Sequence, residues 1–458
     1  LKHYEGLGAI RTRFHESIAW IRSYIQRTLG PLDLSEVYDG AGFGPGANIG
    51  VHGNRTNIHR KMGSSGISST PSAFPYFIAA IKANPQLALY YLGESPSGIV
   101  CFDVDALEEK LWSKYRRVDY NKITFVPKTT KTFRSIAVEP LANSVVQKGI
   151  ESALKRRLQR VGVNLSDQGK NKYLAKVGSK SGELVTVDLS SASDTIALLL
   201  VKLLFPPDWF QLLDATRSPC FLKDGKLTRY EKLASMGNGF SFPVETLIFH
   251  ACVKAARRFS PVQRSRAHAT YGDDIVIASE AFPLLVDLLT FFGFVINRSK
   301  TFDSGPFRES CGADWYNGQD VRPVYLDAKL SDVSDLMVFH NVTHRSQITS
   351  DAFAGVREIL IGCVKHPLVR PKRPWFDYER FTTREELKDL SGAFDRSYDE
   401  VVESTWTRWS SKEQRITWIE LRATPVLDDD PHSRYWEYSQ YLAFLLGGKL
   451  AIRRKVRR

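Results

Sequence analysis

Long apolar runs are missing from this sequence. The best stretch, Ile196 to Leu204, is broken by Lys202 and stops before Pro206, well short of the ~20 residues that carry a helix across a bilayer. A chain of membrane-spanning helices is therefore excluded. Cysteine is scarce: there are five, at 101, 220, 252, 311 and 363, with no Cys-x-x-Cys pair. That pattern argues against a disulfide framework or a zinc site and makes a reducing cytoplasm the expected compartment. Repeats and low-complexity linkers are also absent. No charged-then-apolar leader opens the chain. It begins at Leu1 rather than Met, so further N-terminal sequence is expected.

Acid falls short of base. Lys plus Arg number 63 against 50 Asp plus Glu, a formal charge of +13. Such an excess suits a polyanionic partner, either nucleic acid or an acidic membrane surface. With 458 residues, 43% of them hydrophobic and 12% aromatic, the chain is a folded protein of several subdomains.

Residues 1 to 40 read as mostly helical, with Ile10, Phe14, Ile18, Ile21 and Ile25 at near-helical spacing. Gly40, Gly42, Gly44 and Gly46 follow, with Arg55, His59, Arg60 and Lys61 behind them. This is either a flexible surface loop or a bare backbone that approaches phosphates. No Gly-Lys-Ser/Thr follows, so it is not an ordinary P-loop. Residues 68 to 120 look helical. From about 122 to 330 strands and helices alternate. Residues 331 to 458 are mixed, mainly helical and rich in Trp, and end in a basic run from Arg453 to Arg458. Such a run is commonly a solvated tail, and on a basic chain it can also hold RNA without specificity.

The segment Tyr271-Gly272-Asp273-Asp274 lies between two short apolar, β-branched runs. Gly272-Asp273 suits a tight hairpin turn. An ordinary hairpin would explain the turn but not Asp274, which enters an apolar strand and needs a cation or donor there. Upstream, Leu184 to Val187 reads as a strand closed by Asp188, and Asp194 reads as opening the helix that runs to Leu204. Asp194 could be a plain helix cap and Asp188 a turn residue. Together with Asp273 and Asp274 they supply oxygen ligands on two strands, which a pair of Mg²⁺ ions in nucleotidyl transfer requires.

Between the acidic segments, Ser235-Met236-Gly237-Asn238-Gly239 leads into a helix with a stripe of Val244, Leu247, Ile248, Ala251 and Ala255. Ser235 and Asn238 offer polar groups to a ribose, while Gly237 and Gly239 permit close backbone approach. Lys128, Lys131 and Arg134 recur every three residues between strand-like runs. They form either a solvated face or a clamp on a triphosphate. Lys300, near a turn, is a surface lysine or a proton donor to leaving pyrophosphate. Phe307 to Gly312 with Val321 to Leu326 reads as a small hairpin. His340 and His344 have no third ligand nearby and read as structural or exposed.

In this order the segments resemble motifs F, A, B, C, D and E of viral RNA-dependent RNA polymerases. More closely, they resemble the replicase catalytic (beta) subunit of positive-strand RNA bacteriophages, the Qβ-like group. The carrying residues are Val126 to Lys128 with Arg134 to Pro140, Asp188 to Asp194, Ser235 to Gly239, and Tyr271 to Asp274. The Phe43 to Gly46 region is also similar, less specifically.

The resemblance implies an α+β, right-hand polymerase of fingers, palm and thumb, with a ferredoxin-like antiparallel palm sheet. Fingers and N-terminal region would span 1–180, with motif F at 122–140. The palm would span 181–330, with a finger insertion at about 206–234, and the thumb and basic tail 331–458. Asp188 and Asp273 would ligate two Mg²⁺ ions, for which Mn²⁺ could substitute, and Asp274 would assist. Asp194 and Asn238 would sense ribose hydroxyls, and Lys128, Lys131 and Arg134 would line nucleotide entry. Partners would be template and product RNA, ribonucleoside triphosphates, host elongation factors Tu and Ts and a ribosomal protein, in the cytoplasm of an infected bacterium and without a membrane. Two rivals stand beside this reading. A reverse transcriptase shares the palm but usually carries a bulky residue after the first metal strand, where this chain has Ser190 to Ser193. An inactive RNA-binding scaffold would share the charge but would not need its carboxylates.

Overall fold

In a computed structural model of the protein, the N-terminal apolar spacing becomes one helix, Lys2–Leu29, with Ile21 and Ile25 fully buried. The structure describes residues 2–44, 46–51, 58–93, 102–128, 132–233, 235–262, 265–324, 339, 343, 351–363, 407–410 and 415–418. Lys131, Arg55, His340, His344 and the basic run 453–458 lie outside them. The described residues divide into two compact units, one up to Cys311 and one from Gly312 onward. Helix and sheet are mixed throughout, as an α+β chain requires.

The centre of the first unit is an antiparallel sheet of three strands, ordered Leu184–Val187, Asp274–Ala278, His268–Tyr271. Ile275 pairs with Val187 and Asp274 with Tyr271. Side chains alternate across the pleat, but here both faces are covered. Val185, Val187, Ile275 and Ile277 join the main core, while Leu184, Ala269, Val276 and Ala278 pack with Leu174 of the helix Gly169–Ser181. The strand before Asp188 is thus buried along its whole length. Each such aliphatic side chain contributes about 1.5–3 kcal/mol, so the hairpin stands on a stiff base.

The helix Ser241–Phe259 packs against Lys2–Leu29, against Phe282–Phe291 and against the strand His268–Tyr271. Its expected stripe is fully buried, but Glu245, Thr246 and His250 are buried too, so the helix is enclosed on more than one side.

A second sheet, ordered Phe133–Val138, Tyr120–Pro127, Cys220–Lys223, Lys226–Arg229, joins segments far apart in sequence. The segment after the helix Pro207–Thr216 places its two strands, Cys220–Lys223 and Lys226–Arg229, on this sheet. Asp224 and Gly225 both have positive φ and close their hairpin. The expected strand at Phe307 forms, as Phe307–Ser310, while the end of its expected partner, Leu326, lies outside the described residues. The second unit holds a hairpin further on. The paired strands are Ala313–Tyr316 and Gln319–Asp320, joined by Asn317-Gly318 with positive φ at both residues. Asn-Gly favours that turn, and Val321 extends the pairing by donating its N–H to the Asp314 carbonyl at 2.9 Å.

Among the described residues no helix is long and apolar enough to cross a membrane.

Candidate active site on the aspartate hairpin

Gly272 and Asp273 form the two-residue turn between the paired strands. Gly272 has φ of 60° and Asp273 is not among the positive-φ residues, which is the pattern of a II′ turn with Gly at its first central position. Glycine is also needed for space. A Cβ there would sit 2.4 Å from Phe242 Cε2 and 3.1 Å from Glu245 Oε1.

The three aspartates interact. Burial, then Asp274, then Asp188 push the Asp273 carboxyl up to about 6, against a lowering by Lys128. Asp274 is also raised, chiefly by burial, with Asp188 adding to it. Its Oδ1 accepts from the Cys311 backbone N–H at 3.0 Å, and Asn171 Nδ2 donates to its carbonyl at 3.0 Å. Asp188 Oδ2 accepts from Asn297 Nδ2 at 2.6 Å, while the Asp188 carbonyl accepts from the Asn297 N–H at 2.9 Å. Asn297 follows a short strand, Val295–Ile296, that pairs with Leu189–Ser190.

Carboxyls raised by neighbouring carboxylates, as Asp273 and Asp274 are, suit a hard divalent cation, which would relieve that repulsion. Among the described residues no group of three such side chains lies close enough to ligate one ion. Mg²⁺ does not need one: it is typically held by one or two carboxylates and completed by water and substrate phosphates. The donor chemistry therefore fits Mg²⁺ shared with a polyphosphate.

Asp194 does not open the helix to Leu204. It lies in a separate 3₁₀ turn, Ala192–Thr195, and that helix starts at Leu198. Lys232 Nζ pairs with Asp194 Oδ1 at 2.5 Å. Ser235 is buried and donates to Tyr230 Oη at 2.9 Å. Asn238 Oδ1 accepts from the Phe240 N–H at 3.0 Å, leaving its buried Nδ2 without a partner. Gly237, at φ of 109°, lies against the motif F strand: a Cβ would come 2.3 Å from the Ala137 carbonyl oxygen. Its close approach is to protein backbone rather than to a ligand.

Lys128 follows the strand Tyr120–Pro127, and Arg134 lies opposite Val126. Lys300 sits exposed on the turn after Asn297. Lys61, at the glycine cluster, is buried and donates to the Gly44 carbonyl at 2.8 Å. It props the loop and does not face an open phosphate site.

Sequence reasoning passed over a buried network. Glu139 accepts from Asn121 (2.8 Å), Ser218 (2.8 Å) and Gln147 (3.2 Å). Asn121 Oδ1 in turn accepts from Tyr230 Oη at 2.8 Å, which connects the end of motif F to Ser235.

It also passed over Glu245. This side chain is 5% exposed, with Oε2 unpartnered. Burial first, then Asp273 and Asp194, push its carboxyl up to about 8. In the metal-free protein the unfolded carboxyl loses its proton near 4.5 and the folded one near 8. Stability is therefore present below about pH 4.5 and is lost as pH rises to about 8. Glu245→Gln is expected to raise the thermal midpoint at pH 8.5, by the equivalent of about 2–4 kcal/mol, and to change it little at pH 4.5. Thermal melts of both proteins in chelator across that range check this. Equal midpoints at high pH would deny the buried carboxyl its cost.

Residues 9–354 match the family model described as RNA replicase, beta-chain. The chain belongs to this replicase beta-chain family. It is 41% identical over 277 residues to the RNA-directed RNA polymerase subunit beta of Qbeta virus (strain MX1), covering 60% of this chain and 43% of that relative. It is 44% identical over 227 residues to the corresponding subunit of Escherichia virus Qbeta, covering 49% and 38%. To the RNA-directed RNA polymerase beta chain of Escherichia phage MS2 it is 42% identical over 229 residues, covering 50% and 42%. The chain thus spans about two fifths of the length of these relatives. A solved structure, the insertion loop deletion mutant of a human picorbirnavirus RNA-dependent RNA polymerase, is similar at a TM-score of 0.39 and 13% identity, over 80% of this chain and 83% of that one.

Proposed function

We propose that the chain carries the catalytic region of an RNA-directed RNA polymerase that copies a positive-strand RNA phage genome from ribonucleoside triphosphates, releasing pyrophosphate. The observation that carries this reading is the pairing of the Asp273-Asp274 hairpin with the strand ending at Asp188, whose charge raises both hairpin carboxyls. Family membership supports it. The proposal includes a right-hand arrangement: fingers over 1–180, a ferredoxin-like palm over 181–330 and a thumb over 331–458.

When bound, Mg²⁺ supplies charge neutralisation and a lowered pKa for the attacking 3′-hydroxyl. Asp188 and Asp273 would hold the ions. Asn297 fixes the Asp188 carboxylate by its 2.6 Å bond, and the Cys311 N–H fixes Asp274. Lys128, close enough to lower Asp273, would bring cationic charge to the phosphates, joined by Lys131 and Arg134 at the entry. Asp194 and the unpartnered Nδ2 of Asn238 would meet ribose hydroxyls beside Ser235. Lys300 would donate a proton to departing pyrophosphate. Host elongation factors Tu and Ts and a ribosomal protein belong to the same proposal, in the bacterial cytoplasm.

An extension assay on an RNA template tests the reading. Ribonucleotides are expected to be incorporated over deoxyribonucleotides; the reverse preference would make the chain a reverse transcriptase. In the same assay Asn238→Ala is expected to raise the nucleotide KM by about 3–10-fold and to narrow the ribose preference. An unaltered preference would leave Asn238 as a turn residue only.

A further inference from the structure

One residue before the hairpin's Tyr271, Thr270 lines a cavity of about 110 Å³ that the polymerase reading does not use. Its other walls are the first turn of the helix Gly169–Ser181, through Lys170 and Asn171, the preceding loop with Asp167, and His250 from the helix Ser241–Phe259.

Two buried polar side chains here lack partners. His250 is 2% exposed, and neither ring nitrogen makes a hydrogen bond. Thr270 is 5% exposed and its Oγ1 is likewise unpaired. Buried donors in this condition call for an acceptor.

The surrounding charge selects the kind of acceptor. Burial first, then His268, Lys254, Lys170 and Arg257, disfavour a proton on His250, and His268 stacks on it at 5.7 Å between ring centres. A metal cation would be repelled. The acid on the rim, Asp167, is already engaged, accepting from the Gly169 N–H at 2.7 Å. Lys170 and Asn171 sit in the N-terminal turn of a 13-residue helix whose N-cap, Gln168, makes no side-chain cap bond. That end of a helix favours negative charge.

We propose that this cavity binds a phosphate-class oxyanion through Lys170, Thr270 and His250, with Asn171 as part of its wall. The anion is either a free phosphate or pyrophosphate, or a phosphate carried by RNA. Asn171 makes the site more than a store of charge. Asn171 lines the cavity, and its Nδ2 donates to the Asp274 carbonyl at 3.0 Å and to Ser310 Oγ at 3.3 Å. Occupancy therefore reaches the aspartate hairpin through one side chain.

Calorimetric titration of the full chain with inorganic phosphate, at ionic strength fixed with sodium chloride, tests the site without calling on catalysis. One saturable site is expected. Lys170→Met and Thr270→Val are each expected to weaken it at least about fivefold, with Lys226→Met, on the distant exposed hairpin, as a control that leaves it unchanged. Thermal midpoints without phosphate should match wild type for all three. Adding a 5′-phosphorylated trinucleotide in competition assigns the source. Displacement of phosphate means an RNA phosphate and no displacement means the free ion, and either supports the site. No saturable heat would mean that the cavity holds water only and would overturn the proposal. Phosphate binding untouched by Lys170→Met and Thr270→Val would overturn it equally, as an adventitious ion only on a basic surface.

Discussion

Asp273→Asn is expected to cut Mg²⁺-dependent RNA synthesis by at least ~10³-fold, about 4 kcal/mol of transition-state stabilisation, while RNA affinity stays within about twofold. RNA is held mainly by Lys and Arg against phosphates, and the substitution touches none of them. The same variant is expected to be more stable than wild type. The Asp273 carboxyl is raised to about 6 by burial and by Asp274 and Asp188. Its ionisation therefore costs the metal-free fold progressively more between about pH 3.8 and about 6. Asparagine keeps the shape and removes that charge. Above pH 6 in chelator the variant should melt higher than wild type, and added Mg²⁺ should raise wild type more than the variant. This double result separates a functional acid from a structural one, because a structural acid would cost stability when removed. Full synthesis by Asp273→Asn would remove the residue from the mechanism. A lower midpoint would show that its charge serves the fold.

The parts of this site that follow local rules were legible in the sequence. Two β-branched runs around Gly272-Asp273 specify a hairpin, and the apolar spacing after Pro243 specifies a helix. The partners of each acid were not legible. Asn297 lies 109 residues from the Asp188 it holds. It stands in the same segment as Lys300, whose charge draws attention that an amide does not. The Cys311 group that binds Asp274 is a backbone N–H, which leaves no mark on the sequence at all. Nothing in the sequence around Glu245 marks it as buried. It is buried because Gly272 leaves room for it under the turn, a fact that needs both segments in place. Asp194 shows the opposite error. An acid before an apolar helix looks like a cap, yet Leu198 donates its N–H to the Glu231 carbonyl, and a strand-like crossing from another part of the chain takes the cap's place.

Gly237→Ala is expected to lower the thermal midpoint by the equivalent of about 2–4 kcal/mol and to raise the nucleotide KM more than Asn238→Ala does. Two costs combine. Gly237 has φ of 109°, a region that residues with a Cβ rarely adopt, and its Cβ would come 2.3 Å from the Ala137 carbonyl oxygen. That neighbour is backbone within the paired strand Phe133–Val138, so it cannot swing aside as a flexible side chain would. The loop must lift instead. Lifting breaks the 2.7 Å bond from the Ala137 N–H to the Met236 carbonyl, and it moves Ser235 off Tyr230, the end of the Glu139 network. Asn238 moves with it. Tyr230→Phe is the companion variant, since it cuts the network with no steric push. If loop position sets nucleotide affinity, Tyr230→Phe should raise KM in the same direction by a smaller factor, with kcat nearly kept. An unchanged midpoint in Gly237→Ala would mean that the loop does not rest on the motif F strand. A fallen midpoint with unchanged KM would confine that contact to stability.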